Sequence, residues 1–285
     1  MGGNIQSGGP TRPEGTGRDL GLDRHHSARI YDYFLGGKTH YPPDREVAEK
    51  LLQAFPGFRT AARTNRSFMH RAARYLAERG IRQFLDIGTG IPTSPNLHEV
   101  VQAVAPESRV VYADNDPIVL THARGLLTST PEGRTAYVEA DITDPRSILE
   151  SAELRETLDL EQPVALSLVG LFHYITDDRD PHGIIKQLLE PLVPGSYLVF
   201  SQCTPDFAPE EWEQAINVYK ADGGNAQVRS KAEVERFFAG LELVEPGLEV
   251  PHRWHPDEET EELVKLGELT DAAVSLWAGV AVKRR

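Results

Sequence analysis

The spacing of apolar residues divides the chain into three stretches. Residues 1–26 show almost no apolar periodicity and are rich in Gly, Pro, Arg and Ser, which is typical of a disordered tail. Residues 27–80 place apolar side chains at helical spacing, as in the series Val47, Leu51 and Phe55. The sequence therefore predicts a helical cap over residues 27–80, in front of a core that covers residues 81–285.

Strand and helix patterns alternate through the core. Most of the predicted strands are near-continuous apolar runs, as parallel strands are when helices cover both faces of a sheet. They span residues 81–87, 109–113, 136–139, 164–169, 197–200, 241–250 and 274–282. Helices are predicted at 96–104, 117–127, 146–152, 181–192, 209–219 and 230–238, with a partly helical segment at 256–268. This order predicts an α/β fold with a Rossmann-like, mostly parallel sheet of seven strands.

The charge of the chain argues against a nucleic-acid ligand. Lys and Arg number 30 against 43 Asp and Glu, so the net charge is −13, whereas a protein that grips a phosphate backbone usually has a basic surface. The predicted cap holds the most basic stretch, with Arg59, Arg63, Arg66, Arg71 and Arg74. Because several of these would share the outer side of one helix, we interpret them as a solvated face.

Cysteine content and hydropathy favour a cytoplasmic protein without a metal. The single cysteine, Cys203, excludes an intrachain disulfide and a cysteine-based zinc site. No apolar run is long enough to span a membrane, and the N-terminus has no apolar segment of the secretory type. His252 and His255 precede Glu258 and Glu259, but their separation fits no familiar set of metal ligands, so we expect a solvated loop.

Acidic residues stand at the ends of the first three predicted strands. Asp86 ends the first strand and leads into the loop Gly88-Thr89-Gly90, whose glycines let the backbone turn sharply and approach a ligand closely. Asp114 ends the second strand and Asp141 the third. Ligands of open α/β sheets bind at the carboxyl ends of the strands. We therefore expect a nucleotide-like ligand, with an ammonium group on Asp86, a ribose on Asp114 and an adenine amine on Asp141.

The residues predicted to bind this ligand come from all four of the first strand ends. They are Asp86, Gly88, Thr89, Gly90, Asp114, Asn115, Asp141, Ile142 and Leu168.

The fourth strand end, followed by His173 and Tyr174, is where reacting groups should meet. His173 is a candidate general base, because the ordinary pKa of histidine lies near physiological pH. A lone histidine is more often a packing or capping residue, so both interpretations stay open. Asp32 of the cap is a second catalytic candidate. The residues predicted to contact the substrate are Tyr31, Tyr33, His40 and Tyr174, whose aromatic faces would attract a cation.

These motifs resemble those of class I S-adenosylmethionine (SAM)-dependent methyltransferases. Asp86, Gly88 and Gly90 match the glycine-loop motif of that family, Asp114 matches its ribose-binding acid, and Asp141 matches its adenine-contacting acid. The resemblance covers about residues 81–285. It implies SAM as the cofactor and an antiparallel last strand in the sheet.

A narrower resemblance covers nearly all of the chain after residue 27. The segments 28–38, 84–93 and 114–117 are similar to an actinobacterial group of SAM methyltransferases formerly classed as a domain of unknown function. That group implies a fold and a cofactor but no agreed substrate. The sulfonium of SAM is already activated, so such a protein contributes mainly positioning and exclusion of water. We expect a small-molecule acceptor. The sequence leaves open which compound it is, which of its atoms reacts, and whether the protein forms an oligomer.

Four other functions fit the sequence less well than SAM-dependent methyl transfer. A dinucleotide-binding enzyme would need glycine at position 93, where the chain has Thr93. A DNA amino-methyltransferase carries an Asn/Asp-Pro-Pro-aromatic element after the fourth strand, where this chain has Gly170-Leu171-Phe172-His173. A non-catalytic SAM-binding sensor or partner protein stays open. An aminopropyl transferase, which would use acids such as Asp177 and Asp178, is a weaker alternative.

Overall fold

Seven strands form one sheet in the computed structural model, which describes residues 20–126 and 128–285. They are β1 (Gln83–Ile87), β2 (Arg109–Asp114), β3 (Arg134–Glu139), β4 (Ala165–Val169), β5 (Tyr197–Cys203), β6 (Glu242–Leu243) and β7 (Leu276–Val282). Their order across the sheet is β3-β2-β1-β4-β5-β7-β6. The first five strands run parallel, and β7 runs antiparallel to both of its neighbours. The predicted Rossmann-like sheet with its antiparallel last strand is confirmed.

The strand order reverses between β1 and β4, and this reversal positions the site. Successive residues of β1 point to opposite faces, so Phe84 joins one buried cluster and Leu85 the other. Both faces of the sheet are therefore covered, as the apolar runs predict. Connections leave β1 and β4 in opposite directions, which opens a crevice above their carboxyl ends.

Helices cover both faces of the sheet and form the cap. The α-helices are α1 (Ser27–Leu35), α2 (Pro42–Ala54), α3 (Phe58–Glu78), α4 (Leu97–Val104), α5 (Pro117–Leu126), α6 (Pro145–Leu149), α7 (Ala152–Thr157), α8 (Pro181–Leu189), α9 (Pro209–Ala221), α10 (Lys231–Glu235), α11 (Glu258–Lys265) and α12 (Asp271–Val274). Short 3₁₀ helices span Phe172–Tyr174, Asp177–Arg179, Arg236–Phe238 and Pro251–Arg253.

Aromatic packing fastens the cap helices α1–α3 to the core. Phe34 stacks on Phe58 with 5.0 Å between ring centroids, and Phe55 and Phe58 lie 5.3 and 5.4 Å from Trp212 of α9. The second half of α3 continues over the sheet, where Phe68 and Leu76 are fully buried. The cap is thus joined to the core by a continuous apolar contact, which holds its inner surface against the strand ends.

Two predicted elements near the C-terminus differ from the structure. The predicted strand 241–250 is interrupted after β6, because Pro246 and Gly247 form a turn in which Gly247 has φ +95°; Glu249 then rejoins the sheet through a bridge to Ala278. The strand predicted from Val274 begins at Leu276. Residues 271–274 form α12 instead, and Ser275 has φ +46°, which breaks the extended backbone.

Most of the predicted tail lies outside the described residues. Residues 20–26 are described, and they lead directly into the cap. His26 is the N-cap of α1, and its ring nitrogen accepts from the N–H of Ala28. Ordered contact with the cap therefore begins before the predicted boundary at residue 27. Residue 127, the predicted end of α5, is also outside the described residues.

Candidate functional site

A cavity of about 220 Å³ lies above the carboxyl ends of β1 to β4. Its walls come from the loops after these four strands, the start of α1, the middle of α3 and the segment around Ile175. Eight of the nine predicted cofactor-binding residues line it: Asp86, Gly88, Thr89, Gly90, Asp114, Asn115, Asp141 and Ile142. The structure therefore brings these eight predicted residues together around one cavity.

The glycine loop after β1 brings the backbone close to the cavity. Gly88 has φ +74°, and a Cβ atom there would lie 2.7 Å from the side chain of Leu171, so only glycine fits. Asp86 is buried, and the hydroxyl of Thr89 donates to its carboxylate at 2.8 Å. Burial raises the pKa of Asp86, against the lowering effect of the Ser167 and Thr89 hydroxyls and of the Arg66 charge. A ligand cation in the cavity would stabilise the carboxylate further.

Asp114 is held at the end of β2 by two backbone groups. The N–H groups of Gly90 and Asp116 donate to its two carboxylate oxygens at 2.8 and 2.9 Å. Each carboxylate oxygen can accept more than one hydrogen bond, so both remain able to accept from a ligand. Burial raises the pKa of Asp114. This arrangement fixes the carboxylate in one orientation toward the cavity, as a pair of ribose hydroxyls would require.

Asp141, at the end of β3, is oriented by its neighbours. One carboxylate oxygen accepts from the N–H and the hydroxyl of Thr143, both at 2.8 Å, and the other accepts from the amide of Asn115 at 3.1 Å. Burial acts to raise the pKa of Asp141, but these hydrogen bonds outweigh it and hold the pKa below its ordinary value. Ile142, buried beside it, supplies an apolar surface for a flat ring.

Arg66 of α3 is a site residue that the sequence interpretation missed. Its Nη2 donates to the carbonyl oxygens of Thr93 and of Pro95, the latter at 2.9 Å, and burial lowers its pKa. Its guanidinium lines the cavity beside Asp86. A signal existed in the sequence, because Arg66 lies four residues from Ala62 and three from Met69, both on the buried stripe of α3.

Two tyrosines close the cavity on the side of the cap. The hydroxyl of Tyr31 donates to the carbonyl of Ala62 at 3.0 Å and lies 3.5 Å from the amide of Asn65. The hydroxyl of Tyr174 makes no hydrogen bond within residues 20–126 and 128–285. Burial raises the pKa of both phenols, so both stay protonated at neutral pH. Tyr174, which lines the cavity, therefore carries an uncharged hydroxyl with no partner among the described residues.

Contacts on both sides of Tyr174 fix the segment that carries it. Gly170 has φ +72°, and a Cβ atom there would lie 2.8 Å from the amide nitrogen of Asn65. The buried guanidinium of Arg229 donates to the carbonyl oxygens of Phe172 and Ile175 at 3.0 and 2.7 Å. It also pairs with Asp177 at 2.8 Å. The position of Tyr174 is thus set by contacts on both sides of it.

The predicted base His173 does not line the cavity. Its Nδ1 lies 3.6 Å from the sulfur of Cys203, and its ring packs on Tyr174 with 4.2 Å between centroids. Burial, followed by the charge of Arg229, lowers its pKa to about 3. The structure therefore places His173 as a packing residue behind Tyr174. Leu168, predicted to contact the cofactor, is likewise absent from the cavity wall because its side chain lies in the hydrophobic core.

The predicted cap residues other than Tyr31 gather at the far end of α1. The carboxylate of Asp32 accepts from the N–H of Thr39 at 2.8 Å and closes the turn after α1; burial raises its pKa. Tyr33 contacts the ring of His40 at 5.0 Å and lies under the guanidinium of Arg59. None of Asp32, Tyr33 and His40 lines the cavity.

A buried ion cluster ties the start of α1 to the β2 end of the cavity. Arg29 lies 3.3 Å from a carboxylate oxygen of Asp116 and 3.6 Å from one of Asp44. His26 contacts the same oxygen of Asp116 at 3.2 Å and lines the cavity. The sequence interpretation gave Asp116 only a capping role, which it has through the N–H of Ile118. The cluster places the cap directly beside Asp114.

Within residues 20–126 and 128–285, no helix is long and apolar enough to cross a membrane. The same residues contain no group of three or more His, Cys, Asp or Glu side chains arranged to hold a metal ion.

Known proteins are similar to the chain in overall sequence and in fold. The family model described as S-adenosyl methyltransferase matches residues 13–284. A DUF574 family protein from Streptomyces avermitilis is 53% identical, with 93% of this chain and 99% of that chain covered and a TM-score of 0.89. A proposed methyltransferase from Thermobifida fusca is 37% identical, with 93% and 98% covered and a TM-score of 0.84.

A more distant likeness concerns the fold alone. The plantazolicin methyltransferase BamL, in complex with S-adenosylhomocysteine (SAH) and a substrate analogue, is 12% identical, with 91% and 96% of the two chains covered and a TM-score of 0.52. Among functionally curated proteins, none matches the chain.

Proposed function

Because the chain belongs to the S-adenosyl methyltransferase family, we propose that the cavity above β1 to β4 holds its cofactor SAM and that a small-molecule acceptor meets the methyl group between Tyr31 and Tyr174. The observation that carries this proposal is the order of charges along the cavity. Arg66 and Asp86 stand together at the β1 end, and Asp114 and Asp141 follow at the next two strand ends.

The charges fit the chemical groups of SAM in sequence. Arg66 can bind the carboxylate of the methionine part, since its Nε and Nη1 make no hydrogen bond to other described residues. Asp86 can accept from the ammonium group. Asp114 can accept from the two ribose hydroxyls, and Asp141 with Ile142 can hold the adenine. The buried carboxylates of Asp86 and Asp114 and the half-buried guanidinium of Arg66 would each gain a partner in this orientation.

Methyl transfer requires little of the protein beyond positioning the reactants and excluding water. SAM supplies a methyl group on a sulfonium that is already activated. The residues of this chain orient the cofactor from the strand ends, and the cap excludes water above it. Tyr31 and Tyr174 bound the space next to the sulfonium, with Tyr174 offering its free hydroxyl to the acceptor. Aromatic rings near a sulfonium also stabilise positive charge.

We assign no proton transfer to His173 or Asp32. His173 faces Cys203, and its pKa of about 3 leaves it a weak base. Asp32 is engaged in the turn after α1. We infer that an acceptor in this site reacts through a lone pair that is already available, or loses its proton to water. Aminopropyl transfer has no specific support, since Asp177 pairs with Arg229 and neither Asp177 nor Asp178 lines the cavity.

Labelled transfer tests the proposal. The purified protein is incubated with methyl-labelled SAM and a cell extract that has been separated into small-molecule and macromolecular fractions. We expect label to enter a compound of the small-molecule fraction with the wild-type protein and not with Asp114→Ala. Label that enters only protein, RNA or DNA would contradict a small-molecule acceptor.

A further inference from the structure

A second cavity, of about 640 Å³, runs along the outer side of α3. We call it the α3 groove and define it by Arg63, Arg66, Ser67, His70 and Arg74. Its other walls are the loop 93–95 and the region of α11. Arg66 lines both this groove and the cofactor cavity, so the two lie on either side of one guanidinium.

The basic residues of the α3 groove share one helix face. Arg63, Arg66, His70 and Arg74 follow one another at intervals of three, four and four residues, which places them in a row. Arg63 and Arg74 are exposed and make no hydrogen bond or ion pair with any residue in the described ranges. Two arginines of the row are therefore available to a ligand.

Arg71, on the same helix, differs from Arg63 and Arg74 because its guanidinium already has partners within the protein. Arg71 is buried, and its guanidinium donates to the carbonyl oxygens of Trp254 and Pro251 at 3.2 and 2.6 Å. It also donates to the hydroxyl oxygen of Ser67 at 2.6 Å, which leaves the hydroxyl hydrogen of Ser67 free to donate into the groove. Arg71 is thus structural, whereas Ser67 adds a hydrogen-bond donor to the row.

His70 lies half-buried between the arginines of the row. Its Nε2 is buried and has no hydrogen-bond partner among the described residues. Burial first, and then the charges of Arg66, Arg74 and Arg71, lower its pKa to about 4, against the raising effect of a hydrogen bond with the backbone of Pro95. The imidazole is therefore neutral at pH 7. An anion placed beside it would restore the balance of charge and favour its protonated, donating form.

The opposite wall carries acids, and their positions limit where an anion can lie. Asp257 is committed as the N-cap of α11, where it accepts from the N–H and the hydroxyl of Thr260 at 3.0 and 2.6 Å. Glu259 and Glu268 have exposed side chains on the same wall. The favourable position is thus against α3, next to His70 and Arg74.

We propose that the α3 groove is an oxyanion-binding site for a phosphate or carboxylate group, held by His70, Arg74 and the hydroxyl of Ser67, with Arg63 one turn away. This revises the solvated face expected from the sequence. In a chain with a net charge of −13, such a row attracts anions that the rest of the surface repels. The site does not depend on the proposed function.

Calorimetry on the protein, first alone and then with SAH present, tests the site, because binding in the α3 groove should persist when SAH is added whereas binding in the cofactor cavity should not. The probes are inorganic phosphate, pyrophosphate and succinate. Comparing the affinities of the two phosphate compounds with that of succinate distinguishes phosphate recognition from carboxylate recognition. We expect at least one probe to bind, and Arg74→Ala to weaken its binding about tenfold by removing a charged hydrogen bond. Arg155→Ala, which removes an exposed arginine of α7, should bind like wild type.

The ring protons of His70 provide the second readout. Followed by NMR, the pKa of His70 should rise when the bound probe is present, and by linkage the probe should bind more tightly as pH falls from 7 toward 5. Removing the charge of Arg74 should by itself raise the pKa of His70. The proposal is overturned if no probe binds, if Arg74→Ala binds as wild type does, or if the bound probe leaves the pKa of His70 unchanged.

Discussion

The two ends of the cofactor cavity are built in different ways. At the sheet end, the carboxylates of Asp86, Asp114 and Asp141 accept hydrogen bonds from backbone N–H groups or hydroxyls of the adjoining loops. At the cap end, Tyr31 and Tyr174 come from separate parts of the chain and both line the cavity. The sheet end is thus rigid and charged, whereas the cap end is aromatic and uncharged.

This difference separates two tasks in the proposed function. Fixed carboxylates recognise the polar groups of a cofactor, and their loss should lower the affinity for it. An aromatic chamber with one free hydroxyl shapes the space of the acceptor, and its alteration should change transfer more than cofactor binding. Variants at the two ends test whether the two tasks are separate.

The largest effect is expected from Asp114→Ala. The variant loses the acceptor for both ribose hydroxyls and the anchor of the Gly90 loop, so SAH should bind about 100-fold more weakly in calorimetry. Asp144→Ala is the matched control, because Asp144 is exposed at the start of α6 and does not line the cavity. Equal SAH affinity of Asp114→Ala and wild type would contradict the role of the sheet end.

The pH dependence of stability tests whether His173 belongs to the interior. The unfolded chain protonates His173 near pH 6.5, but the folded chain does so only near 3. The unfolded state therefore binds more protons between these values, so stability is lost as pH falls, by up to about 1.4 kcal/mol per pH unit.

Urea unfolding at pH 7 and pH 5 measures this loss for wild type and for His173→Gln. The variant should lose about 2 kcal/mol less between the two pH values. Contributions from other titrating groups cancel in the difference. An identical loss in both proteins would show that His173 titrates normally and is open to solvent, as a catalytic base in the cavity would be.

The Arg66→Gln variant tests the proposed orientation of the cofactor in the cavity. If Arg66 binds the methionine carboxylate, SAH should bind about tenfold more weakly, while 5′-methylthioadenosine, which lacks the amino-acid part, should bind as it does to wild type. Arg63→Gln, on the same helix but outside the cofactor cavity, is the control. A similar loss of affinity for both ligands would show that Arg66 contacts a part of the cofactor other than its methionine carboxylate.

Tyr174→Phe should have the smallest effect of the four, and it should appear in transfer alone. Loss of one neutral hydrogen bond to the acceptor would slow labelled methyl transfer about fivefold, with SAH affinity unchanged. Tyr33→Phe removes a hydroxyl that contacts Glu49 outside the cavity and should transfer normally. Full transfer activity of Tyr174→Phe would show that the Tyr174 hydroxyl does not contact the acceptor.

The contrast between the two ends also explains what could be predicted from the sequence. Asp86, Asp114 and Asp141 could be found because each directly follows an apolar strand, and parallel strands bring their carboxyl ends to one edge. The strand alternation likewise predicts the mostly parallel sheet with helices on both faces. These features depend on neighbours in the sequence, or on a topology that local patterns determine.

The features that were missed depend on contacts between distant segments. Arg66 faces inward because α3 turns one side toward the loop 93–95, which the helical pattern alone does not reveal. His26 becomes part of the cavity through Asp116, 90 residues away in the sequence. His173 follows a strand end as a catalytic residue would, yet the 3₁₀ turn of residues 172–174 directs its ring toward Cys203.

A crystal structure of the protein with SAH would show directly how the cavity holds the cofactor. We expect the adenine to lie beside Asp141 and Ile142, both ribose hydroxyls to contact Asp114, and the amino-acid group to lie between Asp86 and Arg66. The sulfur should then face the space between Tyr31 and Tyr174. SAH bound in the opposite direction, or outside this cavity, would contradict the proposed function.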